Sequence, residues 1–155
     1  MNAEVLAMLF GINHHVLGVN MKGITHEESL AQPPGAGNCI NWVLGHIAQQ
    51  RNSILRLLEE PAIWTEAESA PYIRGSKPMI DAGAAAPLEK ILGAIDRSQE
   101  RIVAALARTS PERLTAAGPD GTVAEKIAML HFHEAYHLGQ IGLLRRLLGK
   151  EGAIR

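Results

Sequence analysis

Residues 122–148 read TVAEKIAMLHFHEAYHLGQIGLLRRLL, and the spacing within them decides the fold. Thr122 with Glu125 three places on is a capping-box start, and Gly149 is the usual helix stop. Between these signals Val123, Ile127, Leu130, Ile141, Leu144 and Leu148 recur at helical spacing and form one apolar arc. At about 100° per residue, His133 and His137 lie about 40° apart inside that arc, one turn from each other. The face that must be buried therefore carries two imidazoles. His131 falls on the back of the same helix.

Working outward, Gly and Pro divide the remaining chain into three more periodic segments. The first runs from about Asn2 to Asn20, with Leu6, Phe10, Asn13 and Leu17 on one face. The second runs from near Asn38 to Glu59, where EEP ends it. The third covers Leu88 to about Arg108, with Leu88, Ile91, Leu92, Ile95, Gln99, Ile102, Val103 and Leu106 on one arc. Thr25 with Glu28 opens a short helix, and Ser110-Pro111 starts another. Nothing alternates with period 2, and only 4% of the residues are aromatic, so no sheet is expected. The fold class is all-α: a four-helix bundle in a single domain, residues 1–155, with a long connection, residues 61–87, between the second and third helices. That connection is too long for a plain turn and is expected to hold local structure or line a site.

Composition excludes several functions. Fifteen Lys and Arg against 16 Asp and Glu give a net charge of −1, whereas nucleic acid and anionic membranes are bound through basic excess. Neither is an expected partner. No apolar run approaches the ~18 residues of a membrane span. MNAEVLAMLFG carries an acid where a signal peptide carries bases, so it reads as mature structure. The single cysteine, Cys39, excludes an internal disulfide and a cysteine-rich zinc site and fits a reducing, cytoplasmic compartment.

A third histidine joins the pair on the fourth helix. His46, in NWVLGHIAQQRNSIL, lies beside the apolar arc of Val43, Ile47, Ile54 and Leu57, and no carboxylate occurs from Leu30 to Leu58. One divalent ion held by His46, His133 and His137 explains why all three point inward. Three neutral imidazoles suit a borderline ion such as zinc or nickel and leave a position open for water or a small-molecule substrate. Asn13, Gln50 and Gln99 are the other inward polar residues and are expected to line the pocket or support the ligands. The bland alternative is three core histidines satisfied by hydrogen bonds, with no metal.

Two motif readings fail on context. His133–His137 spells H-E-x-x-H, the zinc-protease motif. Position 143, where the extended motif wants a third histidine, is Leu, and the only carboxylate after the motif is Glu151. Glu134 with His137 is also one Glu-x-x-His element of a di-iron bundle, but the second helix supplies no inward carboxylate. Mononuclear ligation by histidine is left.

Trp42-x-x-x-His46-Ile47 on the second helix and His133-x-x-x-His137-x-Gly139-Gln140-Ile141 on the fourth resemble the DinB family of metalloenzymes, and the segment spacing matches over nearly the whole chain. The resemblance implies an up-down-down-up bundle, a divalent metal on His46, His133 and His137, and frequent homodimers. Its characterised members include metal-dependent transferases of low-molecular-weight thiols such as bacillithiol, mycothiol or glutathione, and a mycothiol-dependent maleylpyruvate isomerase. The expected activity is therefore transfer of such a thiol to a small electrophile; the alternative is a non-catalytic metal-binding bundle with a stability or sensing role. Glu134, on the flank of the ligand arc, is the candidate general base or ligand-orienting residue. Arg51, Arg56, Arg74 and Lys77 are the basic candidates near the mouth. Cys39, two turns before His46, stands near the pocket rim or in the core. A stripe of small residues on the back of the fourth helix (Ala124, Ala128, Ala135, Gly139 and Gly142) is the expected homodimer contact, with His131 beside it.

Overall fold

Side-chain caps set where the helices begin in the computed structural model of this chain, which describes residues 2–35, 37–78 and 82–152. Asn2 accepts from the amide of Val5 and opens α1 (Ala3–Met21). Reciprocal capping boxes open α2 (His26–Leu30) at Thr25/Glu28 and α4 (Glu66–Ser69) at Thr65/Glu68. Between them lies α3 (Ile40–Leu57). Pro87 precedes α5 (Leu88–Arg108), and the Ser110 hydroxyl caps α6 (Pro111–Thr115). Thr122 and Glu125 close the expected box over α7 (Val123–Leu147). The expected helices are present. The helix α4 and a two-residue antiparallel hairpin, Ala117–Gly118 with Gly121–Thr122, are additions to them. The hairpin is too short for any period-2 signal. Of the connection 61–87, residues 79–81 lie outside the described residues.

The four long helices form a ring in which α1 and α3 each pack against both α5 and α7. Cross-links give their directions. Leu9 and Asn13 meet His131, and the Asn20 carbonyl meets Arg145, so α1 and α7 run parallel. Asn41 bonds the Ala86 carbonyl and Arg51 that of Ile95, so α3 and α5 run parallel too. Arg51 with Glu134 and His46 against His137 set α3 antiparallel to α7. This is the up-down-down-up order.

The core has two apolar ends. Leu17, Val43, Leu44, Ile47, Ile91, Ile95 and Ile141 pack at one, and Leu6, Phe10, Ile54, Leu55, Ile102, Leu106 and Ile127 at the other. Between them Asn13, Arg51, Ser98 and Glu134 form a buried polar layer. Each large apolar side chain that leaves water contributes about 1.5–3 kcal/mol.

Residues Asn41 to Ala48 of α3 are buried all round, which a bundle helix with one solvent face would not be. The connection after α3 covers its outer side. The Tyr72 hydroxyl donates to Asn41 Oδ1 and accepts from the Ala86 amide, and Asn52 bonds Ile63 and Trp64 backbone groups. Gly45 is required for this cover: a Cβ there would lie 2.2 Å from Tyr72 Cδ1.

The small-residue stripe of α7 divides between the core and the surface. Ala124 is buried in the core, and a Cβ on Gly142 would touch Asn20 of α1 at 3.5 Å. His131 bonds the Leu9 carbonyl at 3.2 Å and packs edge-on against Phe10. Gly139 on the same stripe is exposed, with nothing within 4 Å of where its Cβ would be, while His131, expected beside a dimer contact, joins α7 to α1.

Candidate metal centre

Three rings converge where α3 crosses α7. His46 and His137 are buried and His133 is half-buried. Their ring centroids are 4.4 to 5.2 Å apart with interplanar angles of 69 to 85°. The rings therefore meet edge to face and are not stacked. One ligand atom from each ring lies within 4.8 Å of the others, and among the described residues this is the group of metal-ligating side chains that converges so.

Two backbone and side-chain acceptors choose which nitrogens point inward. His46 Nδ1 donates to the Tyr72 carbonyl at 2.7 Å, and His137 Nδ1 donates to Gln140 Oε1 at 2.7 Å. Each bond places the proton on Nδ1 and leaves the Nε2 lone pair facing the cluster. His137 Nε2 lies 3.1 Å from His133 Nε2. Two imidazole ligands of a tetrahedral ion, bound at about 2.0–2.1 Å, have nitrogens about 3.3 Å apart. The His133–His137 pair already has that spacing, and the three imidazoles together are a donor set that suits a divalent cation. Trp42 stacks on His46, centroids 5.0 Å apart and planes 10° off parallel, and so restrains that ring a second time.

The electrostatics keep the ligands neutral. Burial pushes His137 down to about 4, against the raising effect of its bond to Gln140. Burial also lowers His46, although its bond to Tyr72 opposes the shift. His133 is lowered by burial, then by the charge of His46 and, more weakly, of Arg74. Neutral imidazoles at neutral pH are what a metal requires.

The other sequence-derived candidates lie elsewhere. Both Glu134 oxygens are taken by Arg51, Nε and Nη2 each donating at 2.8 Å, while Arg51 Nη1 bonds the Ile95 carbonyl and Ser98 Oγ at 3.0 Å. Arg51 is wholly buried and Glu134 is 3% exposed. Glu134, expected as general base or ligand-orienting residue, thus carries a bidentate ion pair to Arg51, with no hydrogen bond to a histidine among the described residues. Arg51, expected near the mouth, is a core residue instead. Asn13 donates to the His131 carbonyl, away from the triad. Gln50 is half-buried, and Gln99 Oε1 is buried in the interior of the bundle; among the described residues, no hydrogen bond joins either to the histidines. Cys39 is packed in the core, where burial pushes its thiol up. Arg56, Arg74 and Lys77 are exposed.

Two orienting groups escaped the sequence reading. Gln140 is three residues after His137, a helical neighbour whose spacing announces the contact. Tyr72 acts through its carbonyl, which no side-chain motif reveals.

The family model of the DinB superfamily matches residues 14–141, more than half of the chain, and spans all three histidines. No curated protein sequence matches the chain. No helix among the described residues is long and apolar enough to cross a membrane.

Proposed function

This chain belongs to the DinB superfamily, and from that premise we propose that it holds one zinc or nickel ion on His46, His133 and His137 and transfers a low-molecular-weight thiol to a small electrophile. The observation that carries the reading is the donor set: three neutral imidazoles, two with their outward nitrogens already bonded, and no carboxylate among them. An ion bound there lowers the pKa of a thiol at its open position and so supplies a nucleophile at neutral pH. The protein's part is orientation. Tyr72 and Gln140 fix two rings, Trp42 steadies the first, and the half-buried edge of His133 leaves an opening to solvent. A thiol held there would give its proton to water through that opening, since both Glu134 oxygens are engaged by Arg51. Sulfur then forms a bond to the electrophilic carbon while the leaving group departs with its electron pair.

A second reading, an ion that only stabilises the bundle, is favoured by the low exposure of His46 (3%) and His137 (8%). We also propose a homodimer. Support comes from a row of exposed apolar side chains on the outer face of α7: Met129, Phe132, Tyr136, Leu143 and Leu147.

One preparation tests these readings. Protein purified without a nickel column should contain close to one ion per chain, and added zinc at a hundred times its dissociation constant should stabilise it by about 2.7 kcal/mol. Neither effect should survive in His137→Ala. Incubation with a chloro-nitroarene and a panel of thiols should give a rate above background that also requires His137. Binding without that rate leaves the stabilising reading, and no metal at all ends both. The mass by light scattering reads the dimer.

A further inference from the structure

A second opening lies on the far flank of α7. At about 100° per residue, Gly139 and Gly142 stand about 160° and 140° around that helix from His137. Here α1 and α7 border a groove of about 490 Å³, a volume that suits a small molecule. Asn13, Val16 and Asn20 line it from α1, and Gly139, Gly142 and Arg146 from α7. Among the described residues, no acidic side chain lines it.

Its floor is polar. Asn20 is 3% exposed, yet among the described residues its side-chain amide makes no hydrogen bond; only its backbone carbonyl is engaged, by Arg145. The amide faces the space that Gly142 leaves open: a Cβ on that glycine would stand 3.5 Å from Asn20 Oδ1 and 3.9 Å from Nδ2. Asn13, also buried, donates from Nδ2 to the His131 carbonyl, and among the described residues its Oδ1 accepts nothing. A buried amide without a partner is uncommon, because it gives up water and receives no bond in return. Asn20 presents a donor and an acceptor side by side, the pair that another amide group satisfies.

Arg146 follows Gly142 by one turn and closes the end of the groove. It is exposed, and among the described residues no hydrogen bond or ion pair engages it. Its guanidinium lies against Gly152, where a Cβ would stand 2.7 Å from Nη2. A guanidinium presents a planar fork of donors that matches a carboxylate. The other occupant to weigh is a second copy of the chain, since glycines let helices approach closely. A helix bonds its own backbone groups, so it would seal the Asn20 amide from water and leave it unpaired.

We propose that the groove between α1 and α7 binds a small molecule that carries a carboxylate next to an amide, the chemistry of an acylated amino acid. The ligand's amide pairs with Asn20, its N–H donating to Oδ1 and its carbonyl accepting from Nδ2. Its carboxylate is held by Arg146. The site is separate from the triad and needs no metal.

The test titrates N-acetylglycine into the full chain at low salt and follows amide NMR signals. The Asn20 side-chain signals and the Gly139 and Gly142 amides should shift at millimolar concentrations, the range expected of so small a ligand. Pentanoate lacks the amide and N-acetylglycinamide lacks the charge. Each should bind about fivefold more weakly, the scale of one hydrogen bond or one exposed ion pair. Asn20→Leu and Arg146→Gln should weaken N-acetylglycine by similar factors with little change in melting temperature, because neither removes a bond from the unliganded protein. Gly142→Ala should melt higher, since alanine favours the helix, and bind more weakly, since its methyl group fills the space over the Asn20 amide. Absence of these shifts up to about 50 mM, a concentration that would reveal even very weak binding, overturns the proposal. So does equal binding of N-acetylglycine and pentanoate, or equal binding by wild type and Arg146→Gln. No shift, together with a light-scattering mass that falls in Gly142→Ala, would give the groove to a second copy and overturn it too.

Discussion

One turn apart on the same two helices, α3 and α7 carry two polar clusters of opposite character. Arg51 and Glu134 form a buried ion pair bonded through both carboxylate oxygens, with Ser98 and the Ile95 carbonyl taking the Nη1 hydrogens. His46, His133 and His137 are neutral, and His46 and His137 are bonded on their outer nitrogens, so the inner ones are left facing each other. A network whose donors and acceptors all have partners joins the helices and offers nothing to a ligand. A cluster with unspent lone pairs is where a ligand binds. The two lie close enough that the first sets the helix spacing at which the second converges.

The sharpest way to break this contrast is to remove half of the ion pair. Arg51→Met leaves Glu134 buried without a counter-charge and should destabilise the metal-free protein by about 3–5 kcal/mol, read by urea unfolding. Arg51→Met with Glu134→Leu should recover most of that loss, because two apolar side chains replace two charges whose dehydration was costly. His137→Ala in the same metal-free background should cost clearly less than Arg51→Met, since it leaves no unpaired charge behind. Equal losses from Arg51→Met and His137→Ala would show that the two clusters do not differ in kind.

How far these clusters were legible in the sequence follows from their chemistry. The triad was readable because helical periodicity places His133 and His137 on the apolar arc and His46 beside that of α3. The ion pair was not. Arg51 sits one position after Gln50, on a helix whose early residues are buried all round, so no single apolar face marks which charge points in. Glu134 sits between two ligands, and a local motif suggested chemistry for it that a residue 83 positions away had already taken. The cover over α3 was foreseen as a long connection, but the grip of Tyr72 on His46 is a backbone contact and leaves no side-chain trace. The α7 stripe shows how little small residues specify: Ala124 is buried in the core and Gly142 lies against Asn20 of α1, while Gly139 is exposed.

The contrast sharpens at the edge of the triad, where an orienting bond can be removed without touching a ligand. Gln140→Leu takes away the acceptor that holds the His137 proton on Nδ1. Removing such a group lowers metal affinity by roughly 10- to 100-fold. Trp42, stacked on His46, reports the titration through quenching of its fluorescence by nickel or cobalt. Because Gln140 is half-buried on a helix, the stability of the metal-free protein should change by less than about 0.5 kcal/mol. A large loss of stability with unchanged affinity would place Gln140 with the ion pair instead.

The smallest effect concerns pH, and its sign separates the clusters again. In the metal-free protein burial lowers His46 and His133, and brings His137 to about 4, whereas an unfolded chain protonates its histidines near 6.5. Between pH 6.5 and about 4 the unfolded state therefore binds protons that the folded state refuses, and stability falls as the pH falls. Each refusing imidazole removes at most about 1.4 kcal/mol per pH unit. The capping carboxylates act mostly below this window: Glu68, held by Lys90 and Thr65, is lowered from 4.5 to about 2, so its contribution is lost as the pH falls between those values. Urea midpoints at pH 7 and pH 5 should thus differ in wild type and differ less in His137→Asn. Zinc should narrow the wild-type difference, because an ion on the inner nitrogens competes with the proton for the same lone pairs. An equal drop in wild type and His137→Asn would mean that the triad does not refuse its protons and is not the dry, neutral cluster that its burial implies.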